Sequence, residues 1–407
     1  MSWVPPMHVL FVHQNFPAQF GHVAGYLARE KGFRCTFVSE RPAGTAGDVE
    51  RIQYHKRGGA TAKNHYCSRT FENAIWHTHA VYEALKQRPD VKPDLIVGHS
   101  GFGSTLFLRE LYDCPIINYF EYFYRPVGSD MDFRPDFPSH ELNRLRSRAR
   151  NAMLLLDLEN CDAGYSPTRW QRDRLPELFH EKVQVIFDGI DTGLWRPYED
   201  VPRRLGDRAI PEGTRVVTYA ARGFESMRGF DVFMKAAKRL CDRRDDVVFV
   251  VVGEDRICYG GDDQITGEKS FKDWVLRQDD YDPSRFIFPG RVPPPELARL
   301  FSLSDLHIYL TVPFVLSWSL MNALACGATV LASDTGPVRE MIEHEKQGLL
   351  FDFFDVDALV AAADKVLDDP AAFCALGEAG RQMIRQQYSL PDCLARMLRL
   401  YEEVLGR

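Results

Sequence analysis

Arg222 and Arg228 stand six positions apart in Tyr219-Ala220-Ala221-Arg222-Gly223-Phe224-Glu225-Ser226-Met227-Arg228-Gly229-Phe230. Two guanidiniums flanking a glycine-bearing loop can grip a diphosphate by charge-assisted hydrogen bonds. Gly223 and Gly229 permit the tight turns and close approach that such a grip needs. The competing reading is a pair of solvated surface arginines, but arginine at a helix start opposes the macrodipole unless an anion is present. About a hundred residues on, 306–310 reads as a strand and 313–318 as an apolar loop. A helix follows over 319–325, stopped by Cys326-Gly327, and a second strand over 328–334. In an open α/β sheet, ligands sit at the carboxyl ends of strands beside helix N-termini. The N–H groups at Ser317, Trp318 and Ser319 are therefore expected to meet a phosphate. Together these features outline a nucleotide-diphosphate site and suggest group transfer.

Other residues carry weaker signals. His99 follows a strand in Val97-Gly98-His99-Ser100-Gly101-Phe102-Gly103, where a neutral-pH hydrogen-bonding group can meet a ligand, although most lone histidines are structural. His13, ending the first strand, has the same standing. Glu254 and Asp255 follow a strand and either contact sugar hydroxyls or are solvated, the latter being the default. Arg125, Asp130 and Asp132 adjoin the aromatic run Tyr119-Phe120-Glu121-Tyr122-Phe123-Tyr124, which suits a carbohydrate and equally suits a core. Arg144, Arg146, Arg148 and Arg150 form two rows of an expected helix. A solvated face is the default for them, with a membrane surface or a phosphate-bearing acceptor as the functional options.

The elements that must position these groups alternate. Strands are expected at 7–12, 34–38, 94–98, 115–119, 163–166 and 183–186, with helices at 21–31, 71–88, 106–111 and 139–160. A polar stretch with Pro202 and Pro211 reads as a linker over 188–213. The pattern restarts with strands at 215–220, 247–252 and 286–288, a helix at 230–243 and the unit at 306–334. A strand at 349–351, a helical region at 356–385 and an amphipathic helix at 390–405 complete it. Strands alternating with helices imply α/β doubly wound parallel sheets, here two Rossmann-like domains facing a central cleft.

The 407 residues exceed one ordinary core, so two domains are expected. A formal net charge of −7 argues against a general nucleic-acid binder. Nine cysteines without CxxC pairs suggest neither zinc nor a disulfide framework. With no basic, apolar leader in Met1-Ser2-Trp3-Val4-Pro5-Pro6, they read as reduced cytosolic thiols, and Cys114, Cys326 and Cys374 as small core residues. No run of about 18 apolar residues suggests a membrane span.

At this point the chain resembles the family 4 glycosyltransferases, retaining enzymes of the GT-B fold. Arg222 and Arg228-Gly229-Phe230-Asp231 are similar to the family's "R…KG.D" segment, with Arg228 where lysine is usual. Phe288-Pro289-Gly290-Arg291-Val292 resembles "F.G.V", which frames the base, and Ala323-Leu324-Ala325-Cys326-Gly327 resembles "EAMACG". Asp188-Gly189-Ile190-Asp191 resembles "NGVD", and Gly348-Leu349-Leu350 resembles "NGLL". His13-Gln14-Asn15-Phe16-Pro17-Ala18-Gln19-Phe20 is similar to a subgroup opening with "HQNFP.QF". The family's paired glutamates, eight positions apart, fall on Phe314 and Asn322. Asn322 is uncharged and shorter, yet still accepts through its carbonyl oxygen. The lost charged hydrogen bond would cost roughly 1.5–3 kcal/mol of donor binding.

The resemblance implies a retaining, metal-independent hexosyltransferase that moves a sugar from a UDP- or GDP-type donor to a glycan or lipid-linked acceptor in polysaccharide biosynthesis. Arg222, Arg228 and His99 would be catalytic. Gly223, Gly290, Arg291, Val292, Glu254, Ser317, Trp318, Ser319, Asn322 and Glu340 would hold the donor. His13, Asn15, Phe16, Gln19, Tyr124 and Arg125 would serve the acceptor. No cofactor, metal or nucleic-acid partner is implied, and the expected location is cytoplasmic, with peripheral contact at the inner membrane face as an option. The expected domains are 1–187 for the acceptor, 188–213 as linker, 214–385 for the donor, and 386–407 as a helix packing back toward the first. Two rivals are a sugar-nucleotide epimerase, which needs no acceptor, and a non-catalytic partner in glycan assembly, which the change at Asn322 permits.

Overall fold

Strands buried on both faces appear as unbroken apolar runs, and in the computed structural model His8–Val12 and Leu95–His99 are buried at every position. The structure describes residues 7–205 and 208–406. The reading of residues 1–6 as lacking a leader lies outside them, as do 206–207 of the expected linker and residue 407. By internal contacts the chain forms two units. One comprises the residues up to Val127, Ser139–Asp188, and those from Cys393 onward. The other comprises Gly128–Pro138 and Gly189–Asp392.

Numbered in chain order, the first unit's strands are β1 (His8–Val12), β2 (Arg34–Ser39), β3 (Gly44–Ala46), β4 (Val49–Gln53), β5 (Leu95–His99), β6 (Ile116–Tyr119), β7 (Ala163–Ser166) and β8 (Val183–Val185). They form one sheet in the order β3-β4-β2-β1-β5-β6-β7-β8. All pairs are parallel except β3 with β4. Phe11 of β1 lies opposite Phe37 of β2 and Val97 of β5. The helices Gly21–Lys31 and Arg69–Lys86 match the expected periodicity within two residues.

In the second unit a ribbon of β9 (Arg204–Leu205) and β10 (Arg208–Ala209) precedes β11 (Arg215–Gly223), β12 (Val247–Glu254), β13 (Phe286–Gly290), β14 (Leu306–Tyr309), β15 (Val330–Ser333) and β16 (Leu349–Phe351). The last six make a parallel sheet ordered β13-β12-β11-β14-β15-β16.

Several expectations need correction. The helix expected over 139–160 is two, Glu141–Arg150 and Ala152–Asn160. At the break, the Asn151 amide donates to the Tyr124 carbonyl and accepts from the Tyr124 N–H, at 2.8 and 2.9 Å. The region 356–385 likewise splits into Val356–Asp368 and Pro370–Gln387, because proline cannot continue a helix but suits its first turn. Arg222 lies within β11 rather than in a loop after it, the strand continuing past an irregularity between Ala220 and Gly223. Cys374 is exposed rather than a core residue, and all nine cysteines are free.

The helix Trp318–Ala325 is held from behind. Its chain turns out through Gly327 at φ 74°, a left-handed position that glycine occupies without strain. Helix Pro370–Gln387 then lies so close that a Cβ on Gly377 would come within 2.2 Å of the Gly327 carbonyl oxygen. One on Gly380 would meet Leu324 Cδ2 at 2.7 Å. Backbone cannot yield as a flexible side chain can. Gly377→Ala is therefore expected to destabilise the protein by about 1–3 kcal/mol, the usual cost of overpacking. An unchanged midpoint in chemical denaturation would remove this contact as the reason for glycine.

Candidate functional site

In the second unit the chain runs from β11 outward through β12 and β13, then returns to lay β14, β15 and β16 on the other side. The order therefore reverses between β11 and β14, and the segments leaving these two strands diverge at their carboxyl ends. Such switch points are where open α/β sheets bind ligands.

Arg228 sits there. It follows β11 in the turn Ser226–Arg228 and is only 5% exposed. Its Nη1 donates to Thr311 Oγ1 at 2.7 Å and to the Val315 carbonyl at 3.1 Å, both in the segment leaving β14. Tyr259 and Phe314 present their rings at 5.3 and 5.8 Å from its guanidinium carbon. Among the described residues no carboxylate lies within ion-pair distance of it. A buried cation without a contacting carboxylate is costly, and the charge of buried Glu225 offsets part of that cost.

The turn carrying Arg228 is braced by groups that sequence reasoning missed. Glu225, fully buried, accepts from the N–H groups of Cys258, Tyr259 and Gly260 at 3.0, 2.8 and 3.1 Å. Asp262 accepts from Ser226 Oγ at 2.5 Å and Ser226 N–H at 2.8 Å, and burial pushes its carboxyl up to about 6. Arg134, in Gly128–Pro138, donates from Nη1 to the Ser226 carbonyl at 3.1 Å. It also makes a two-pronged bond to Asp231, at 2.9 and 2.7 Å. Arg134 and Asp231 are both buried, and Phe137 and Phe353 cover the guanidinium at 4.6 and 5.3 Å. The acidic residue of Glu225-Ser226 was visible in the motif; the arginine 97 positions away from its partner was not.

The remaining donor-side expectations divide. Ser317 caps the helix Trp318–Ala325, its Oγ accepting from the Ser319 N–H at 3.3 Å, while its own N–H donates to Tyr309 OH at 3.0 Å. Trp318 is 40% exposed. Asn322 is buried in the same helix, and its Oδ1 has no hydrogen-bond partner. Gly290 ends β13 at φ 75° with open space where a Cβ would be, followed by exposed Arg291 and buried Val292. Gly223 is closed in, since a Cβ there would meet the Arg256 carbonyl oxygen at 2.3 Å. Arg222 is exposed, and the neighbouring Tyr259 raises its guanidinium above the ordinary value. Glu254 pairs with Arg256 at 2.7 Å. Glu340 follows the short helix Gly336–Arg339. Among the described residues no group of three or more His, Cys, Asp or Glu could hold a metal ion.

The first unit reverses its strand order between β1 and β5. His13 follows β1 and His99 ends β5, their rings 5.0 Å apart and edge to face. Burial holds both neutral: His13 is pushed down to about 4, and His99 well below its ordinary value, with His13 adding to the effect. His13 Nδ1 accepts from the Asn15 N–H at 2.8 Å. His99 Nδ1 contacts the Ser100 carbonyl at 3.0 Å, which makes it the protonated nitrogen. Its Nε2 has no hydrogen-bond partner and lies 3.7 Å from Glu121 Oε2.

His99, Tyr124 and Gln14 line one cavity of about 340 Å³. The other acceptor-side candidates are engaged elsewhere. Asn15 Oδ1 accepts from Arg41 at 2.9 Å. Phe16 packs edge-on against Phe37 at 4.9 Å and under Arg51 at 5.1 Å. Arg125 donates to the Arg174 carbonyl at 2.9 and 2.6 Å. Gln19 lies in the turn Ala18–Phe20 and does not line the cavity.

Two outcomes follow. Arg134→Met, which strands Asp231 in the interior, is expected to cost about 3–5 kcal/mol, and adding Asp231→Leu to recover most of it; chemical denaturation of the parent chain and both variants decides, and equal stability of the two variants would refute the pair's coupling. For His13 the folded state binds fewer protons than the unfolded state between about pH 4 and 6.5. Its contribution is present above 6.5 and is lost as pH falls, at up to about 1.4 kcal/mol per pH unit. Thermal midpoints from pH 7 to 4.5 should fall less steeply in His13→Asn than in the parent chain; parallel slopes would contradict this.

Comparison with known proteins gives both halves of the chain relatives. Residues 31–194 match the sequence model described as "Glycosyl transferase family 4 group", and residues 202–383 the one described as "Glycosyl transferases group 1". A D-inositol 3-phosphate glycosyltransferase of Thermobispora bispora is 27% identical over 240 residues, covering 57% of this chain and 54% of that protein. An alpha-maltose-1-phosphate synthase of Mycolicibacterium smegmatis is 26% identical over 261 residues, 61% of this chain and 64% of that protein. The chain thus spans less than two thirds of these curated relatives. Among solved structures, sucrose-phosphate synthase from Thermosynechococcus elongatus superposes with a TM-score of 0.75 at 18% identity, over 98% of this chain and 99% of that one. Anabaena Alr3699/HepE in complex with UDP-glucose gives 0.69 at 14% identity, over 98% and 100%. The architecture is that of the GT-B fold, and each half of the chain is similar to a glycosyltransferase sequence model.

Proposed function

We infer that the protein moves a sugar from a nucleotide-diphosphate donor to a carbohydrate or lipid-linked acceptor, with retention at the anomeric carbon. The observation that carries this reading is Arg228, a buried cation without a carboxylate partner, set at the β11/β14 switch point. In the reaction the bond from the anomeric carbon to the diphosphate oxygen breaks with its electron pair on oxygen, an acceptor hydroxyl oxygen bonds to that carbon, and the hydroxyl proton passes to the departing diphosphate. Arg228, Arg222 and the N–H groups at Ser317 to Ser319 would meet the charge that develops on the diphosphate. Fixed charge aimed at a leaving group lowers a barrier without reorganisation. The partnerless Oδ1 of Asn322 would accept from a donor hydroxyl. The backbone around Gly290, Arg291 and Val292 would frame the base, and Glu254 and Glu340 would line the sugar pocket.

The first unit would take the acceptor. His99 offers a neutral, partnerless Nε2 to a sugar hydroxyl, with His13 and Tyr124 beside it. Named relatives that use D-inositol 3-phosphate, or GDP-mannose with a phosphatidylinositol monomannoside, support an acceptor bearing several hydroxyls. Structures of Anabaena Alr3699/HepE with UDP and UDP-glucose support a uridine donor, and the GDP-mannose-dependent relative a guanosine one. No described helix is long and apolar enough to cross a membrane; peripheral contact at the cytoplasmic face is part of this reading.

The deciding experiment is thermal stability with UDP, GDP, ADP and dTDP. A ligand at about 100 times its dissociation constant adds roughly 2.7 kcal/mol, and one base is expected to produce that shift. The double variant Arg222→Ala, Arg228→Ala should lose both the shift and donor turnover; retained turnover would sink the assignment. No shift with any nucleotide, restored in Asn322→Glu, would instead favour a non-catalytic partner. Donor conversion without an acceptor would favour an epimerase.

A further inference from the structure

The cavity of the first unit contains a charge arrangement that a plain sugar does not explain. Arg146 and Arg150 lie one turn apart on Glu141–Arg150, and both line the 340 Å³ space, a volume within the range of about 300–1,000 Å³ typical of small-ligand pockets. Arg144 and Arg148, on the other row of the helix, are exposed. The two lining guanidiniums are held only by neutral groups. Arg146 donates to Tyr66 OH at 3.3 Å and to Thr70 Oγ1 at 3.1 Å. Arg150 donates to Tyr124 OH at 2.7 Å and stacks on that ring at 3.7 Å. The Nε atoms of both are buried without an acceptor, and among the described residues neither arginine has a carboxylate within ion-pair distance.

The other titratable groups lining the space do not cancel this charge. His77 is held below its ordinary value by burial and by Lys56. His99 is held neutral by burial. Glu121 supplies one carboxylate. Two fixed cations against one anion leave the lining positive, in a chain whose formal charge is −7. Guanidinium forks match phosphate oxygens in pairs, while Glu121, Asn73 and the His99 Nε2 suit hydroxyls.

We propose that this cavity binds an acceptor carrying a phosphate monoester on a polyol or sugar, its phosphate on Arg146 and Arg150 and its hydroxyls toward His99 and Glu121. The proposal rests on the assignment of the acceptor to the first unit. The step from hydroxyl-bearing to phosphate-bearing acceptor comes from the two arginines alone.

The test is calorimetry on the full chain without donor. The probes are glucose 6-phosphate, glucose, phosphatidylcholine vesicles, and the same vesicles containing phosphatidylinositol 4-phosphate. At least one phosphorylated probe is expected to bind roughly tenfold or more tighter than its unphosphorylated counterpart, as loss of a charged hydrogen bond implies. A response to glucose 6-phosphate assigns a soluble sugar phosphate, and a response confined to vesicles assigns a lipid headgroup. Arg146→Gln with Arg150→Gln should remove the preference, and Arg150→Lys should keep part of it. UDP and GDP binding, measured on the same variants, reports on the second unit. Equal binding of phosphorylated and plain probes, no binding of either in a chain that binds nucleotide, or an unchanged preference in the double glutamine variant would overturn the proposal. A phosphate response in a chain that binds no nucleotide would refute the donor assignment and leave the phosphate site standing.

Discussion

A cation taken out of water must be met by something, and in the second unit Arg228 is touched by a hydroxyl, a carbonyl and two aromatic faces, with the Glu225 carboxylate acting on it without direct contact. That incomplete neutralisation organises what lies around it. Desolvating a guanidinium costs several kcal/mol, and the turn that carries it is tied down by the buried carboxylates of Glu225 and Asp262. Glu225 ties down the loop 258–260 through three N–H groups. Asp262 holds Ser226, and Arg134 holds the Ser226 carbonyl from the other side. With these bonds in place, no carboxylate among the described residues lies within ion-pair distance of Arg228. The site is prepared before the ligand arrives, which is the condition under which charge lowers a barrier most.

The first unit uses a different device at the equivalent place. Its switch point carries two histidines that burial keeps uncharged, so their ring nitrogens act as neutral hydrogen-bonding groups across the physiological range. Beneath them, Asp157 accepts from Ser100 and Ser104 at 2.7 and 2.8 Å, and burial raises its carboxyl to about 6. The loop after β5 is thus anchored from below by hydroxyls while its upper side faces the cavity. Gly103 allows that loop to fold back on β1, since a Cβ there would meet the Val12 carbonyl oxygen at 2.2 Å.

Where the sequence was legible, one periodicity or one breaker sufficed. The apolar runs at 8–12, 95–99, 247–252 and 306–309 became central strands because nothing but a doubly covered sheet accommodates them. Gly327 stopped its helix as expected. The edge strand β3 and its neighbour β4 escaped because Gly44-Thr45-Ala46 and Val49-Glu50-Arg51-Ile52-Gln53 are mostly polar or small, as the margin of a sheet tolerates. The break at Asn151 escaped because its cause is a side-chain amide bonded to the backbone of Tyr124, 27 positions away. Arg222 and Arg228 looked alike in the motif, yet burial separates them, one in solvent at the end of a strand and the other enclosed. The acidic partners of the Arg228 turn and the strap residue Arg134 depend on chain proximity that local pattern does not encode.

The division of the chain has a consequence for how its two halves could ever be exchanged. The boundary between units is crossed after Val127, after Pro138, after Asp188 and after Asp392, so no single cut separates them. A chimera joined at residue 188, the natural choice from the linker-like sequence, would take Arg134 from one parent and Asp231 from another. Recombination between relatives would therefore be filtered at this buried ion pair: a parent without the arginine would leave Asp231 unmatched in the interior, whereas Arg134 keeps Asp136 of its own segment at 2.7 Å. The eleven residues Gly128–Pro138 thus act as a compatibility tag between the two halves of one gene product.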